Sequence, residues 1–485
     1  MPFSSRRSSY LIVWLLATVA CTPKDVPPPA PVLPVPAPSQ LAWHRMEMNA
    51  FVHFSINTFT DKEWGFGAES PDLFQPTAFD AKQWVAAFKE TGFKGVILTC
   101  KHHDGFCLWP SAHTQHSVKQ SPWMNGEGDV VRALATACRG AGLEFGIYVS
   151  PWDRNHADYG TPAYVNYYRD QLRELFQTYG PIFEMWFDGA NGGDGFYGGA
   201  HEKRKIDGAS YYDWPATLDL VRSFNPNVIF FSDAGPGARW VGNEKGIAGE
   251  TNWNTITPDT LYAGKAGIEQ LLNTGSEGGT HWIPAETDVS IRPGWFYHDR
   301  EDSLVKTPEQ LFNIYLTSVG RGSTLLLNIP PDSRGLIHEN DVAALRGFRV
   351  LLNERFAHDL AREATIRANH YRGNAVEFSP GLLIDGNPDT YWATDDEVIS
   401  ASVELQWPRE QIIRYVQLQE AIALGQRVRS WKAEIFKNNK WVQVATATTV
   451  GYKRILDVGD QTTARLRITI TDARASLALA ELSVF

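Results

Sequence analysis

The chain has 485 residues, enough for more than one domain with one of them of barrel size. Its 55 acidic against 45 basic residues, with no basic block, argue against nucleic acid as a partner. The 17 Trp serve cores, but flat indole plates are also what sugar-handling proteins use.

Residues 1–20 read as a signal peptide: Arg6 and Arg7, an apolar run from Tyr10 to Ala20, then small residues before Cys21. That run is too short to cross a bilayer as a mature helix. Thr18-Val-Ala-Cys21 resembles a bacterial lipoprotein signal. The resemblance implies a lipidated Cys21 and a membrane-anchored protein of the cell envelope, periplasmic or at the cell surface. Thr18 stands where such signals usually carry Leu, so plain cleavage and secretion is the alternative. Residues 21–40, rich in Pro, Ala and Val, read as a semi-rigid tether holding the body off a membrane. With Cys21 acylated, Cys100, Cys107 and Cys138 form an odd set with no disulfide framework. Cys100 and Cys138 fall in apolar stretches and read as core, while a Cys100–Cys107 bridge stays open.

Strand-like and helix-like stretches then alternate. Strands are expected over 49–56, 95–100, 145–149, 183–188, 228–231 and 324–329, and helices over 80–91, 129–141, 162–179, 308–319 and 339–354. The stretch 250–306 is loop-rich, with no strand assigned. This order predicts an α/β fold, a (β/α)8 TIM-type barrel over 41–358. An open doubly wound sheet is the alternative, but no Gly-rich phosphate fingerprint opens a helix after the first strand. Over 359–485, short alternating stretches between turns predict an all-β antiparallel sandwich.

Within Phe183-Glu-Met-Trp-Phe-Asp188, period-2 alternation puts Glu184, Trp186 and Asp188 on one face and Phe183, Met185 and Phe187 on the other. In a closed barrel the Phe/Met face packs under the helices and Asp188 arrives last, at the C-terminal mouth. A carboxylate there suits attack on a sugar ring; a cap for the Gly-rich loop that follows is the plainer role. Other strand ends bring His53, Glu63 and Trp64, Lys101-His-His-Asp-Gly-Phe106, Tyr148, and, after the fifth strand, Arg239-Trp-Val-Gly-Asn-Glu244 and Gly249-Glu-Thr-Asn-Trp253. A metal at His102 and His103 is disfavoured, because adjacent strand residues face opposite ways and no H-x-H, H-E-x-x-H or C-x-x-C spacing supports it. For His53 alone, a satisfied core histidine is the competing reading.

His53, Glu63-Trp64, the His102-His-Asp-Gly-Phe106 run, Tyr148 and Trp186-Phe-Asp-Gly189 resemble the family 29 glycoside hydrolases, the α-L-fucosidases, from about Trp43 to Pro331. The Arg239–Glu244 segment is similar to the branch that prefers α-1,3 and α-1,4 linkages. The resemblance implies a retaining exo-fucosidase with Asp188 as nucleophile, working through a covalent fucosyl-enzyme. Retention requires a second carboxyl group about 5–5.5 Å away. Glu244 is assigned that acid/base role and Glu250 is its rival; the true one is expected to have a raised pKa. His53, Glu63, Trp64, His102, His103, Tyr148, Trp186, Arg239 and Trp253 are expected to bind the fucosylated glycan, and Trp295 to border the leaving group. No cofactor is required by this chemistry. The rival from another class is a non-catalytic cell-surface protein that binds fucose or glycans.

Leu383-Ile-Asp-Gly-Asn-Pro-Asp-Thr-Tyr-Trp-Ala-Thr394 resembles the early loop of discoidin-type (coagulation factor 5/8 C-type) domains. The resemblance implies a module that binds sugars or holds a structural calcium, to which Asp385 and Asp389 could supply hard oxygen ligands.

Overall fold

A computed structural model gives the fold and describes Met1 and residues 26–485; the targeting segment and Cys21 lie outside the described residues. Eight parallel strands close a barrel: β1 (Met48–Val52), β2 (Gly95–Lys101), β3 (Glu144–Val149), β4 (Glu184–Trp186), β5 (Ile229–Ser232), β6 (Ala238–Trp240), β7 (Ala285–Ser290) and β8 (Thr324–Asn328). β8 pairs back onto β1 through Met48 and Leu325, so no strand edge is left open. Helices form where apolar periodicity and caps coincide. Asp80 caps Ala81–Thr91 by accepting from Lys82 N, Asp129 caps Val130–Ala141 by accepting from Arg132 N, and each helix stops at a left-handed glycine, Gly92 or Gly142. Helix Pro162–Tyr179 follows β3, and its buried Tyr164, Tyr168, Leu172 and Leu175 pack under the barrel wall.

Two barrel strands carry no signal of the expected kind. β6 starts five residues after β5 with no helix between them, whereas parallel neighbours normally need a dozen or more residues of crossover. The return is possible because the chain passes against its own strand. A Cβ on Gly237 would stand 2.6 Å from Phe230 N, and Gly237 N donates to Phe230 O instead. The Arg239–Glu244 segment, expected as a loop after the fifth strand, is therefore β6 and the loop after it. β7 lies in the region read as loop: Ala285-Glu-Thr-Asp-Val-Ser290 turns its acidic side chains inward, the inverse of the usual polarity of a strand.

Along Phe183–Asp188, which contains β4, the expected alternation holds for five of the six residues. Trp186 joins the interior cluster with Phe51, Tyr148 and Phe231, while Met185 and Phe187 join the core under the helices. Phe183 precedes the strand proper and turns into the barrel base against Gly95 and Gly146.

Beyond helix Glu339–Phe356, antiparallel strands form the sandwich around Trp392, Trp407 and Trp431. Its two long strands, Ala401–Glu420 and Arg454–Ala473, pair along their length with register shifts at 406/411 and 413/415, where bulges let the ribbon bend over its own core. In the discoidin-like loop, Asp385 accepts from Asn387 N (2.8 Å) and Thr390 Oγ1 (2.8 Å), and Asp389 pairs with Arg45 (2.5 Å). One carboxylate thus orders the turn and the other reaches the barrel.

The tether needs a correction as well. From Val26 onward the segment is docked: Arg372 Nε donates to Pro27 O (2.6 Å), Arg427 Nη2 to Ala30 O (2.7 Å) and Val32 N to Leu424 O (2.9 Å). Helix Pro38–His44 then sends Gln40 to Gly237 O and Trp282 O, both at 2.8 Å. Pro-rich composition here supplies a fixed brace across both domains. Cys100, Cys107 and Cys138 are free and buried, so the open disulfide does not form.

Candidate active site

At the C-terminal mouth of the barrel lies a cavity of about 680 Å³. His53, Glu63, Trp64, His102, His103, Tyr148, Trp186, Asp188, Glu244 and Trp295 all line it, from loops far apart in sequence. The alternation of β1 and β4 brings His53, Trp186 and Asp188 inward, and the Gly189 turn leaves Asp188 at the rim.

Asp188 is held at both oxygens. Tyr148 Oη donates to Oδ2 at 2.9 Å and Ala190 N to Oδ1 at 2.7 Å. The plainer role of loop cap is thus real, but it occupies one oxygen; the other faces the cavity with Tyr148. His103 Nε2 stands 3.6 Å from Oδ2, and burial pulls its pKa down to about 4 against the pull of Asp188. His53 Nδ1 donates to Asn328 Oδ1 at 2.8 Å. The Asn328 amide is oriented by its own donation to Trp295 O, which leaves His53 Nε2 as an acceptor. Burial pushes the His53 pKa down to about 3. Neutral imidazoles of this kind offer ring hydroxyls directional partners without charge. Trp186 stacks on Phe231 with ring centres 4.0 Å apart and planes 9° from parallel, presenting a flat apolar floor.

Glu63 accepts from Trp295 N (2.8 Å), Phe296 N (3.1 Å) and His298 Nε2 (2.8 Å), so it both borders the cavity and fixes the segment that carries Trp295. Trp295 Nε1 points at Glu244 Oε2 at 3.4 Å. The Glu244 carboxyl has a raised pKa, first through loss of water contact and then through the charges of Asp188 and Glu63, with the indole N–H opposing. Its loop keeps one side open to solvent. Glu250, the rival, does not line the cavity: it pairs with Arg321 (3.4 Å), and its carbonyl takes Arg454 Nη1 and Thr448 Oγ1 of the C-terminal domain.

Two expected binding residues are corrected. Ala238 and Trp240 face the barrel interior, so Arg239 between them faces out. Arg239 is fully buried and its guanidinium binds Leu272 O (2.8 Å), Trp253 O (2.9 Å), Asn252 Oδ1 (3.1 Å) and Ile283 O. Trp253 is buried beneath the Arg474 guanidinium at 5.6 Å, against the C-terminal domain. Arg239→Ala is expected to lower stability by about 3 kcal/mol or more, since several buried carbonyls lose their donor. A urea midpoint measures this; an unchanged midpoint with weakened substrate binding would restore Arg239 to the site.

Among the cavity residues that escaped the sequence reading are Trp240, Asp288, Asp233, Lys265 and Glu269. The Ala238/Trp240 alternation was the available signal for the first. Asp233 accepts from Gly264 N (2.7 Å), and burial with the Asp188 charge pushes its pKa up to about 6.

The comparisons agree with this geometry. Residues 32–353 match the Alpha-L-fucosidase family model and residues 365–482 the F5/8 type C domain model. Alpha-L-fucosidase 1 of Arabidopsis thaliana is 41% identical over 466 residues, covering 95% of this chain and 89% of the plant protein. A Ruminococcus gnavus glycoside hydrolase 29 fucosidase solved in complex with fucose superposes with a TM-score of 0.85 at 32% identity, covering 95% of this chain and 96% of its own. A glycoside hydrolase 29 family member from an unknown rumen bacterium gives 0.84 at 43% identity, covering 94% of this chain and 78% of its own. With its closed barrel, its mouth lined by the same His, Trp and carboxylate side chains that carried the likeness, and its C-terminal F5/8 type C domain, the chain belongs to the glycoside hydrolase 29 family of alpha-L-fucosidases.

Proposed function

We propose that the protein is a retaining exo-α-L-fucosidase that removes terminal α-1,3- or α-1,4-linked L-fucose from glycans. Asp188 attacks the anomeric carbon while Glu244 protonates the departing glycosidic oxygen. A covalent fucosyl-enzyme forms, and water deprotonated by Glu244 then releases fucose. One observation carries this reading: Asp188 and Glu244 line a single cavity, where loss of water contact and then the charge of Asp188 raise the pKa of Glu244. A raised pKa suits the group that must deliver a proton to the leaving oxygen. Support for fucose as the sugar is the named ligand of the R. gnavus relative. Support for the linkage is the likeness of the Arg239–Glu244 segment to one branch of the family.

Incubation with Lewis-type trisaccharides and with a 2-linked fucoside tests the reading. Free fucose is expected from the first and little from the second, with the α-anomer formed first by NMR. Binding without release would mark a glycan-binding protein, and a β-anomer formed first would mark inversion.

Lipid attachment at Cys21 and export to the cell envelope belong to the same reading. Only four residues lie between Cys21 and the docked Val26, a reach of about 18 Å over five steps at full extension. An acylated chain would therefore hold the enzyme close against its membrane.

A further inference from the structure

Below the sugar cavity, the barrel interior contains carboxyl groups where most barrels pack aliphatic layers. Glu184, Glu286 and Asp288 are 0%, 0% and 4% exposed. Each accepts one indole N–H: Trp43 Nε1 to Glu184 Oε2, Trp186 Nε1 to Glu286 Oε1 and Trp240 Nε1 to Asp288 Oδ1, all at 2.9 Å. The three pairs climb from the base, where Trp43 enters from helix Pro38–His44, to Trp186 and Trp240 in the cavity wall.

A buried indole N–H without an acceptor is costly, and inside a closed barrel the strand carbonyls are engaged mainly by the sheet ladder. A side-chain acceptor is therefore what lets a Trp lie flat in this layer. Neither Glu184 nor Glu286 has a cation beside it. The oxygens left over, Glu184 Oε1 and Glu286 Oε2, are buried with no hydrogen-bond partner among the described residues, and the two carboxyl groups lie near enough for Glu184 to raise the pKa of Glu286. Two neighbouring buried carboxyl groups with no cation to offset them escape mutual repulsion when one keeps its proton, which the two could then share, and burial raises both pKa values. The groups that face the pair are Trp43, Trp186 and the carboxyl of Asp288; Asp288 in turn faces Glu244 and Asp188, and its pKa is raised in the same way.

We propose that Glu184, Glu286 and Asp288 are positioning residues: through indole–carboxyl hydrogen bonds, and through one proton shared by the two glutamates, they fix Trp186 and Trp240 as the floor on which the sugar ring sits. The proposal rests on the sugar-cleaving reading of the cavity; Glu184 and Glu286 lie beneath it and act only through the indoles, while Asp288 also borders it. It explains why acidic residues occupy the interior of β4 and β7, where periodicity alone calls for aliphatic ones.

The sign of the pH effect follows. A folded-state pKa above the unfolded one gives stability that is complete below the unfolded carboxyl value and is lost as pH rises through the raised value. Glu286→Gln carries permanent hydrogens in that place: its amide oxygen still accepts from Trp186 and its amide nitrogen donates to Glu184. Glu286→Leu removes the acceptor.

The test compares these two variants with wild type on an aryl fucoside and follows Tm from about pH 5 to about pH 9. Glu286→Leu is expected to raise KM about tenfold or more with a smaller change in kcat, because the floor shifts under the ring. Glu286→Gln is expected to restore KM to within about twofold and to lose less Tm than wild type at the alkaline end. Asp288→Leu and Asp288→Asn are expected to repeat the KM pattern through Trp240. A Glu286→Leu enzyme that is less stable but has unchanged KM overturns the inference. So does a Glu286→Gln enzyme with the KM of the Leu variant or the wild-type Tm profile. If the Leu variant does not fold, the Gln variant's Tm profile decides alone. Wild-type protein that releases no fucose refutes the proposed function instead, and fucose affinity measured by calorimetry on the same variants then still tests the floor.

Discussion

Asp188→Ala is expected to lower kcat on an aryl fucoside about a thousandfold or more, a loss of at least about 4 kcal/mol of transition-state stabilisation. The effect is large because the carboxylate is the atom donor of the first step and nothing else in the cavity can replace it. Glu244 is the proposed proton donor and has a raised pKa, Asp233 is committed to Gly264 N, and burial lowers the pKa of the neighbouring imidazoles. Tyr148 and Ala190 aim the two Asp188 oxygens, so the residue is preorganised and its removal leaves a small vacancy facing the anomeric carbon. Azide, which fits that space, should restore turnover and give a fucosyl azide with inverted configuration. Full activity in the Ala variant would remove Asp188 from the mechanism, and loss without azide rescue would leave it only as the cap of its own loop.

The second large effect is on Glu244. Glu244→Ala is expected to cost about 10²–10⁴ in kcat on a natural glycan, whose leaving oxygen needs the proton, and far less on a fucoside with an acidic leaving group. The raised pKa of Glu244 sets the pH dependence: the acid form persists above the usual glutamic range, and kcat/KM falls as pH rises through the raised value. The variant should lose that alkaline limb. The same pattern in Glu250→Ala would move the role to Glu250. The structure weighs against it, because Glu250 spends its carbonyl on the C-terminal domain and its carboxylate on Arg321.

Fold and site were legible where the information is local. The alternation in Phe183–Asp188 says which side chains face the barrel interior, and the Asp80 and Asp129 caps say where helices begin, because both depend on residues a few positions apart. β6 was not legible, since its pairing with β5 needs no crossover helix and rests on a close pass of Gly237 against Phe230. β7 was hidden for a different reason. Its inward face is acidic, and that makes sense only once Trp186 and Trp240, from β4 and β6, are seen to need acceptors there.

By itself, the sequence determined the order of elements, the inward carboxylate at the end of β4 and the cluster of His, Trp and Tyr at strand ends, all consequences of short-range periodicity. Only the tertiary structure decided which Gly-rich loop closes on the mouth, and so Glu244 over Glu250 in the cavity. It also decided that Arg239 turns outward to a set of carbonyls and that a Pro-rich segment serves as a brace. The physical reason is common to all three: a buried donor or acceptor, and a loop without its own ladder, take their places from partners that lie tens to hundreds of residues away.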